Sequence, residues 1–375
     1  MKHRLRKWLG ACVGLVACLL AAEARGQVTV AAGYTPPDDT PKINVGVTIF
    51  ANYSYQDSPE VIDGSPQKNT IHSNSFDVTR AYINVTGSLS HWFSFRITPD
   101  IVRETGTGSS AAGSQTFRLK YAYGQVNFDD FLPKGSWLRI GLQQTPYVDF
   151  IESVYRYRFQ GAIFVDREGF LTSSDYAIST RVNLPGNFGD IHTGVYNGDG
   201  YSSTNDQRGI NDQKAFMIRG TLRPLPFVPI LSGLRLTGFY DSDHYFQDAK
   251  RERTTFALTF ENTWVNFGAE WLDAKDQSGG AAVVDLKRDG YSVWVTPRTQ
   301  FGLEGLFRYD NLDTNRDLRP KPKRERTIAG IAYWPPLQGG KSLAFLVDYE
   351  ILKIKNVTPT PADTKIYAFH TLWNF

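Results

Sequence analysis

Tyr155-Arg156-Tyr157-Arg158 lies in a stretch, about 146–176, that also holds Asp149, Glu152, Asp166, Arg167, Glu168 and Asp175. Guanidinium groups can hold oxyanions through paired N–H donors, and the Tyr-Arg alternation could present both arginines on one side. Such chemistry selects charged solutes. The same theme recurs along the chain. Arg80, Arg96, Arg118, Lys120, Arg139, Arg181, Arg219 and Arg235 fall on the polar face of alternating segments in its earlier part. Glu261, Glu270, Glu304, Asp310, Asp348 and Glu350 occupy equivalent positions later. A basic wall facing an acidic wall would impose a transverse field that orients polar solutes. Each charge taken singly also fits a solvated wall residue, and the loop charges also fit an external loop laced by salt bridges.

Bond-making chemistry finds little footing. Gly106-Thr107-Gly108 lacks the Lys-Ser/Thr helix start of a phosphate loop. Asn197, Asp199 and Asp206 loosely suggest calcium, but Asn-Gly-Asp-Gly is first a hairpin-turn sequence. His72, His91, His192, His244 and His370 are scattered without metal-ligand spacing, and no nucleophile elbow occurs. The expectation is a protein that is not an enzyme and needs no cofactor or metal.

The N-terminus reads as a secretory signal over residues 1–26. Lys2, Arg4, Arg6 and Lys7 precede an apolar core from Trp8 to Ala22, and small residues follow at Ala22, Ala24 and Gly26. Leu15-Val16-Ala17-Cys18 offers a lipobox as the rival, though the apolar run continues past Cys18. The signal carries five bases and one acid, so 36 basic and 37 acidic residues remain, a formal charge of −1. That balance gives no reason to expect nucleic acid. Both cysteines, Cys12 and Cys18, fall within the signal, so the exported chain has no disulfide to rely on. Residues 27–42, with Pro36-Pro37 and Pro41, read as a periplasmic linker with no plug domain.

Positioning the charges falls to β-strands. After the signal no run of eighteen apolar residues occurs, while 8 Trp, 19 Tyr and 24 Phe are present. Apolar and polar residues alternate with period two: Ile43 to Tyr53 with Phe50 as the exception, then Phe93-Ser94-Phe95-Arg96-Ile97, Leu138-Arg139-Ile140, and Phe256 to Phe260. Long polar connections near 56–73, 102–116, 146–176, 198–212, 242–252, 273–288, 312–325 and 356–363 alternate with short ones near 89–91, 129–136, 185–188, 224–230, 262–263, 297–299 and 335–340. Eight long and seven short connections separate about sixteen strands. The expectation is an all-β fold over 43–375: a transmembrane antiparallel up-and-down β-barrel whose third long loop folds inward. The last strand, Lys365 to Phe375, sets Tyr367, Phe369, Trp373 and Phe375 on one face. It should close the barrel against the first, because lipid cannot satisfy an open sheet edge. Such a terminal strand resembles the signal read by the outer-membrane assembly machinery.

Four segments resemble the phosphate-selective porin O/P family. They are Phe76-Asp77-Val78-Thr79-Arg80-Ala81-Tyr82-Ile83 leading to Gly87, Gly141-Leu142-Gln143-Gln144-Thr145-Pro146, Leu171-Thr172-Ser173-Ser174-Asp175-Tyr176, and Tyr196-Asn197-Gly198-Asp199-Gly200 followed by Lys214-Ala215-Phe216 and Arg219. The resemblance implies a sixteen-stranded outer-membrane barrel, usually a homotrimer, passing small anions such as phosphate. Arg80, Arg96, Arg118, Lys120, Arg139, Arg156, Arg158, Arg181 and Arg219 are the expected anion-contacting residues, with Glu261, Glu270, Glu304 and Asp310 as the opposing acids. A sugar-selective or general diffusion channel, or a non-conducting barrel enzyme or adhesin, are the alternatives.

Overall fold

Every second residue of Ala215–Leu222 is buried: Ala215, Met217, Arg219 and Thr221 are covered, while Phe216, Ile218 and Leu222 are exposed. A soluble sheet would bury the apolar set. Covering an arginine while exposing Phe and Ile is informative because it inverts that rule. The same inversion gives Ile43 69%, Phe76 83% and Ile140 61% exposure on other strands. An outward apolar face and an inward charged face are what a closed barrel in lipid requires.

The computed structural model describes residues 39–104, 106, 110–202, 213–244, 249–277, 284–337 and 339–375. The expected signal over 1–26, the linker as far as residue 38, and the positions Thr107, Gly108 and Asp206 weighed above lie outside them. Strand β1 is Lys42–Ser58, and a two-stranded ribbon in the first long loop supplies β2 (Val61–Ile62) and β3 (Thr70–Ile71). Then come β4 (Asn74–Ser88), β5 (Phe93–Arg103), β6 (Gln115–Asn127) and β7 (Trp137–Gln144). Two short helices follow, α1 (Pro146–Val154) and α2 (Phe164–Arg167). Next are β8 (Ser174–Asn183), β9 (Gly189–Tyr196), β10 (Ala215–Leu222), β11 (Arg235–His244) and β12 (Lys250–Glu261). The chain finishes with β13 (Val265–Gln277), β14 (Asp285–Pro297), β15 (Leu303–Asp313), β16 (Lys323–Tyr333), β17 (Ser342–Lys355) and β18 (Thr364–Asn374).

All strands except β2 and β3 form one closed antiparallel barrel of sixteen, with each strand bonded to its sequence neighbours and β18 returning to β1. Closure runs from Thr48↔Asn374 to Ser58↔Lys365. The Val47 N–H donates to the Phe375 carbonyl at 2.7 Å and the Phe375 N–H to the Val47 carbonyl at 3.0 Å, so the last residue completes the seam. Tyr367, Phe369, Trp373 and Phe375 all face outward. Tyr349–Tyr367 (4.6 Å) and Tyr291–Tyr309 (6.0 Å) pair toward the long-loop end, and Phe345–Trp373 (6.3 Å) toward the other. Outward aromatics at two levels are what a barrel in a bilayer is expected to present. Among the described residues no helix is long and apolar enough to cross a membrane.

Two long connections are shorter than composition suggests. β11 runs to His244 and β12 starts at Lys250, while β13 runs to Gln277 and β14 starts at Asp285. Their polar ends keep pairing above the apolar band, with Asp243 opposite Arg251 and Glu252 opposite Lys275. Polarity there marks where lipid ends, not where the strand ends. Conversely the turn expected at 224–230 spans 223–234, because Pro224, Pro226 and Pro229 bring no ladder donor. Pro99 sits inside β5 only because the register shifts between Thr98 and Pro99.

Outward Ile218 supplies a direct check of the inside-out pattern. Ile218→Lys is expected to destabilise the barrel by about 2–4 kcal/mol in lipid if the site lies near the bilayer midplane. Urea unfolding in phospholipid vesicles measures it; an unchanged midpoint would show that this face meets water.

Candidate functional site

The connection from β7 to β8 begins with Thr145 and Pro146, and proline at a helix start pre-sets the backbone of α1. One side of α1 is wholly apolar: Tyr147, Val148, Ile151 and Val154 are 0–1% exposed. Tyr155, Tyr157, Phe159, Ile163, Phe164 and Phe170 continue that surface. An external loop could not bury them. They pack against apolar side chains that face the lumen: Tyr147 on Phe239 (5.4 Å), Tyr155 on Trp294 (5.2 Å), and Tyr157 and Phe159 on Trp334 (5.9 and 5.8 Å). Phe50 meets Tyr82 at 5.8 Å and Phe159 at 6.4 Å, which explains why it breaks the alternation of β1. Burying a large apolar side chain contributes roughly 1.5–3 kcal/mol, so this cluster holds the loop inside the barrel. The third long loop is folded inward, as the sequence leads one to expect.

Hydrogen bonds fix the loop's register on the wall. Tyr147 donates to Glu270 at 3.0 Å, while Arg156 and Tyr157 donate to Glu304 at 2.8 and 2.9 Å. The Asn266 amide donates to the Val154 carbonyl at 3.0 Å and Arg308 to the Ala162 carbonyl at 2.8 Å. Farther round, Gln160 and Arg167 donate to Glu350 at 3.1 and 3.0 Å, and Arg324 donates to Glu168 at 2.6 Å. Asp310 accepts from Arg308 at 2.7 and 2.8 Å and from Ser292 at 2.7 Å. Glu261 pairs with Arg235 at 3.3 Å. Of the four strand acids expected to oppose the basic wall, Glu270 and Glu304 therefore grip the back of the loop, and Asp310 and Glu261 hold arginines of their own wall.

The anchoring tyrosine gives a measurable case. Tyr157→Phe leaves the buried Glu304 short of one donor and the Trp334 indole, which donates to the Tyr157 hydroxyl at 3.3 Å, without its acceptor. The expected cost is about 1–3 kcal/mol. Thermal unfolding in detergent reads it, and an unaltered transition would remove this anchor from the account.

The opposite wall, β4 to β10, presents the arginines. Arg80 and Arg118 both donate to Asp100 at 2.9 Å, and Arg118 also donates to the Tyr201 hydroxyl at 3.0 Å. Arg219 and Arg181 share Asp190, the latter at 3.1 Å. Three cations have a different kind of support. Arg96 lies 4.4 Å from the Tyr121 ring centroid and donates to Thr98 and Asn84. Lys120 sits 4.7 Å from Tyr82 and 5.5 Å from Tyr121. Arg139 lies 3.8 Å from Trp137 and 4.6 Å from Tyr123, and donates to Gln125 at 2.6 Å. Among the described residues none of these three has a carboxylate within ion-pair distance. Aromatic faces hold each cation, by about 0.5–2 kcal/mol apiece, without cancelling its charge.

The loop brings its own acids toward that wall. Asp149 is raised by burial and by Glu152, and lowered by Arg139, Arg219 and Arg181, so it feels three of the wall cations. Asp166 is likewise pushed up by burial and held down chiefly by Arg158. Arg158 donates to Glu152 at 2.6 Å and lies 3.4 Å from Asp166. Arg156 stacks on Trp334 at 4.1 Å, and both arginines border one cavity of about 250 Å³ beside Thr48 and Phe159. The approach of Asp149 to the wall cations could not be read from alternation, since it lies on a loop. The lumen-facing aromatics Phe239, Trp294 and Trp334 were the available clue, because they break the polar face where the loop packs.

The fold of the barrel is similar to that of solved outer-membrane porins. The chain matches no protein-family model and no curated protein by sequence. In structure it is similar to an anion-selective porin from Comamonas acidovorans, with a TM-score of 0.62 at 9% identity over 90% of this chain and 100% of that one. It is similar to the outer membrane channel DcaP of Acinetobacter baumannii, with a TM-score of 0.59 at 11% identity over 92% and 100%. OmpF of Salmonella typhi, in complex with daunomycin, gives 0.60 at 10% identity over 90% and 98%.

Proposed function

We propose that this chain is an outer-membrane porin: a water-filled channel through which small hydrophilic solutes diffuse, with a preference for anions such as phosphate. One observation carries the sign. Arg96, Lys120 and Arg139 stand on the barrel wall with no carboxylate among the described residues within ion-pair distance. Charges at the narrow part of an aqueous lumen set which ion enters. The solute would slide along this wall, handed between cations too weakly bound to trap it. Asp149, Glu152 and Asp166 on the loop supply the facing negative charge, so the field runs from wall to loop. Glu261, Glu270, Glu304 and Asp310 set the loop's position in this reading. The likeness in fold to the anion-selective porin of Comamonas acidovorans supports this reading.

A general diffusion channel is the second reading, favoured by the loop acids, which temper the basic wall. We infer a homotrimer, since OmpT of Vibrio cholerae is a similar barrel solved in a trimer form. We also infer export through a cleaved signal over residues 1–26 and assembly through the outward aromatic strand ending at Phe375. Purified protein added to a planar lipid bilayer is expected to give stepwise conductance in KCl. A bilayer that stays silent would overturn the porin reading and favour an adhesin or a barrel enzyme.

A further inference from the structure

Below α1, at the short-turn end of the lumen, lies a second cavity of about 400 Å³ that the wall of Arg96, Lys120 and Arg139 does not border. Four cations line it: Lys134 on the turn after β6, Arg181 on β8, Arg223 on the turn after β10, and Arg235 on β11. A single carboxylate lines it with them, Asp190, and that one is shared between Arg181 and Arg219. Arg235 is paired outside the lining with Glu261 at 3.3 Å. Among the described residues Lys134 and Arg223 have no acid partner.

Arg223 is held in place by neutral groups alone. It donates to the Asn187 side-chain oxygen at 2.6 Å and to the Ser232 carbonyl at 2.7 and 3.2 Å. Burial and the neighbouring Arg235 guanidinium both hold it below the usual arginine value, with Glu261 acting the other way. Cations crowded this way repel one another, and an anion placed among them would relieve the repulsion. The rest of the lining includes one aromatic ring, Phe150 from α1, and two amides, Asn183 and Asn187, beside smaller groups such as Ser153 and Thr221. Its volume falls in the range of sites for small organic ligands, well beyond one inorganic oxyanion.

We propose that this cavity is a binding site for a small organic anion, a phosphate or carboxylate group carried on a body of a few carbon atoms. The anionic group would sit between Lys134 and Arg223, and the body would lie against Phe150 with its hydroxyls toward Asn183 and Asn187. The site would load solutes that have passed the loop and release them at the short-turn mouth. It rests on the channel reading, and it adds a body-size preference that the cationic wall alone does not give.

The test uses the full-length protein in a planar bilayer, with glucose 6-phosphate added to either side in turn. The expected result is a saturable block of the KCl current, stronger from one side, at least severalfold weaker with inorganic phosphate, and absent with glucose. Lys134→Gln with Arg223→Gln is expected to weaken the block tenfold or more, read against the variant's own KCl current. Because Arg223 also braces its turn, Lys134→Gln alone is a second arm, expected to weaken the block severalfold. A KCl current that glucose 6-phosphate does not block, or blocks equally in wild type and Lys134→Gln, overturns this inference and leaves the channel standing. Inorganic phosphate blocking as well as glucose 6-phosphate overturns the organic body. Absence of any KCl current overturns the channel and this site together.

Discussion

Replacing Glu304 by alanine is expected to loosen the inward loop and raise single-channel conductance, with larger current fluctuations. Glu304 is 5% exposed and accepts from both Arg156 and Tyr157. Its removal leaves the Arg156 guanidinium and the Tyr157 hydroxyl without their acceptor beside Trp334. Breaking a buried ion pair from one side usually costs about 3–5 kcal/mol. The lower end applies here, because the Arg156 side chain is 31% exposed and can turn to water. The remaining anchors at Glu270 and Glu350 keep the loop inside the barrel, so the expected change is a wider, noisier channel and not an empty one. Single-channel recording beside thermal unfolding separates the two effects. A less stable variant with unchanged conductance would mean that the loop does not set the constriction.

Neutralising Arg96, Lys120 and Arg139 together, each to glutamine, is expected to lower the anion-to-cation permeability ratio by about tenfold, equivalent to ~1.4 kcal/mol of relative barrier. The size is set by what the wall can supply. One unit charge 4 Å from an ion at an effective dielectric near 20 is worth about 4 kcal/mol, and salt in the lumen screens much of that. Three uncompensated charges leave more than enough. Arg80→Gln is expected to move the ratio less, since it removes one charge instead of three, from a cluster in which Asp100 already offsets one of the two arginines it binds. Equal effects from Arg80→Gln and from the triple variant would show that pairing does not decide which cations act on the solute.

The barrel was legible because lipid enforces a pattern that water does not. Exposed Phe216 and Ile218 beside buried Arg219 repeat a period-two signal that a sequence carries openly. Strand number followed from alternating loop lengths, and the seam from the outward aromatics of β18. What the pattern hides is anything that depends on where the loop settles. The strand acids look alike by parity, yet Glu304 and Glu270 meet the loop while Asp310 meets Arg308 two residues away. Arg96 and Arg80 also share a parity, and only their neighbours across strands, Tyr121 for one and Asp100 for the other, decide which has a carboxylate beside it. Boundaries failed for a related reason. Asp243 and Arg251 read as loop by polarity but remain ladder partners.

The central claim is that the wall from β4 to β10 gives the open lumen a net preference for anions. Reversal potential across a planar bilayer under a KCl gradient tests it most directly. The account predicts a potential of the sign set by chloride, shrinking toward zero as the salt on both sides is raised and the wall charges are screened. A potential of the sign set by potassium, at low salt and in the native protein, would contradict it.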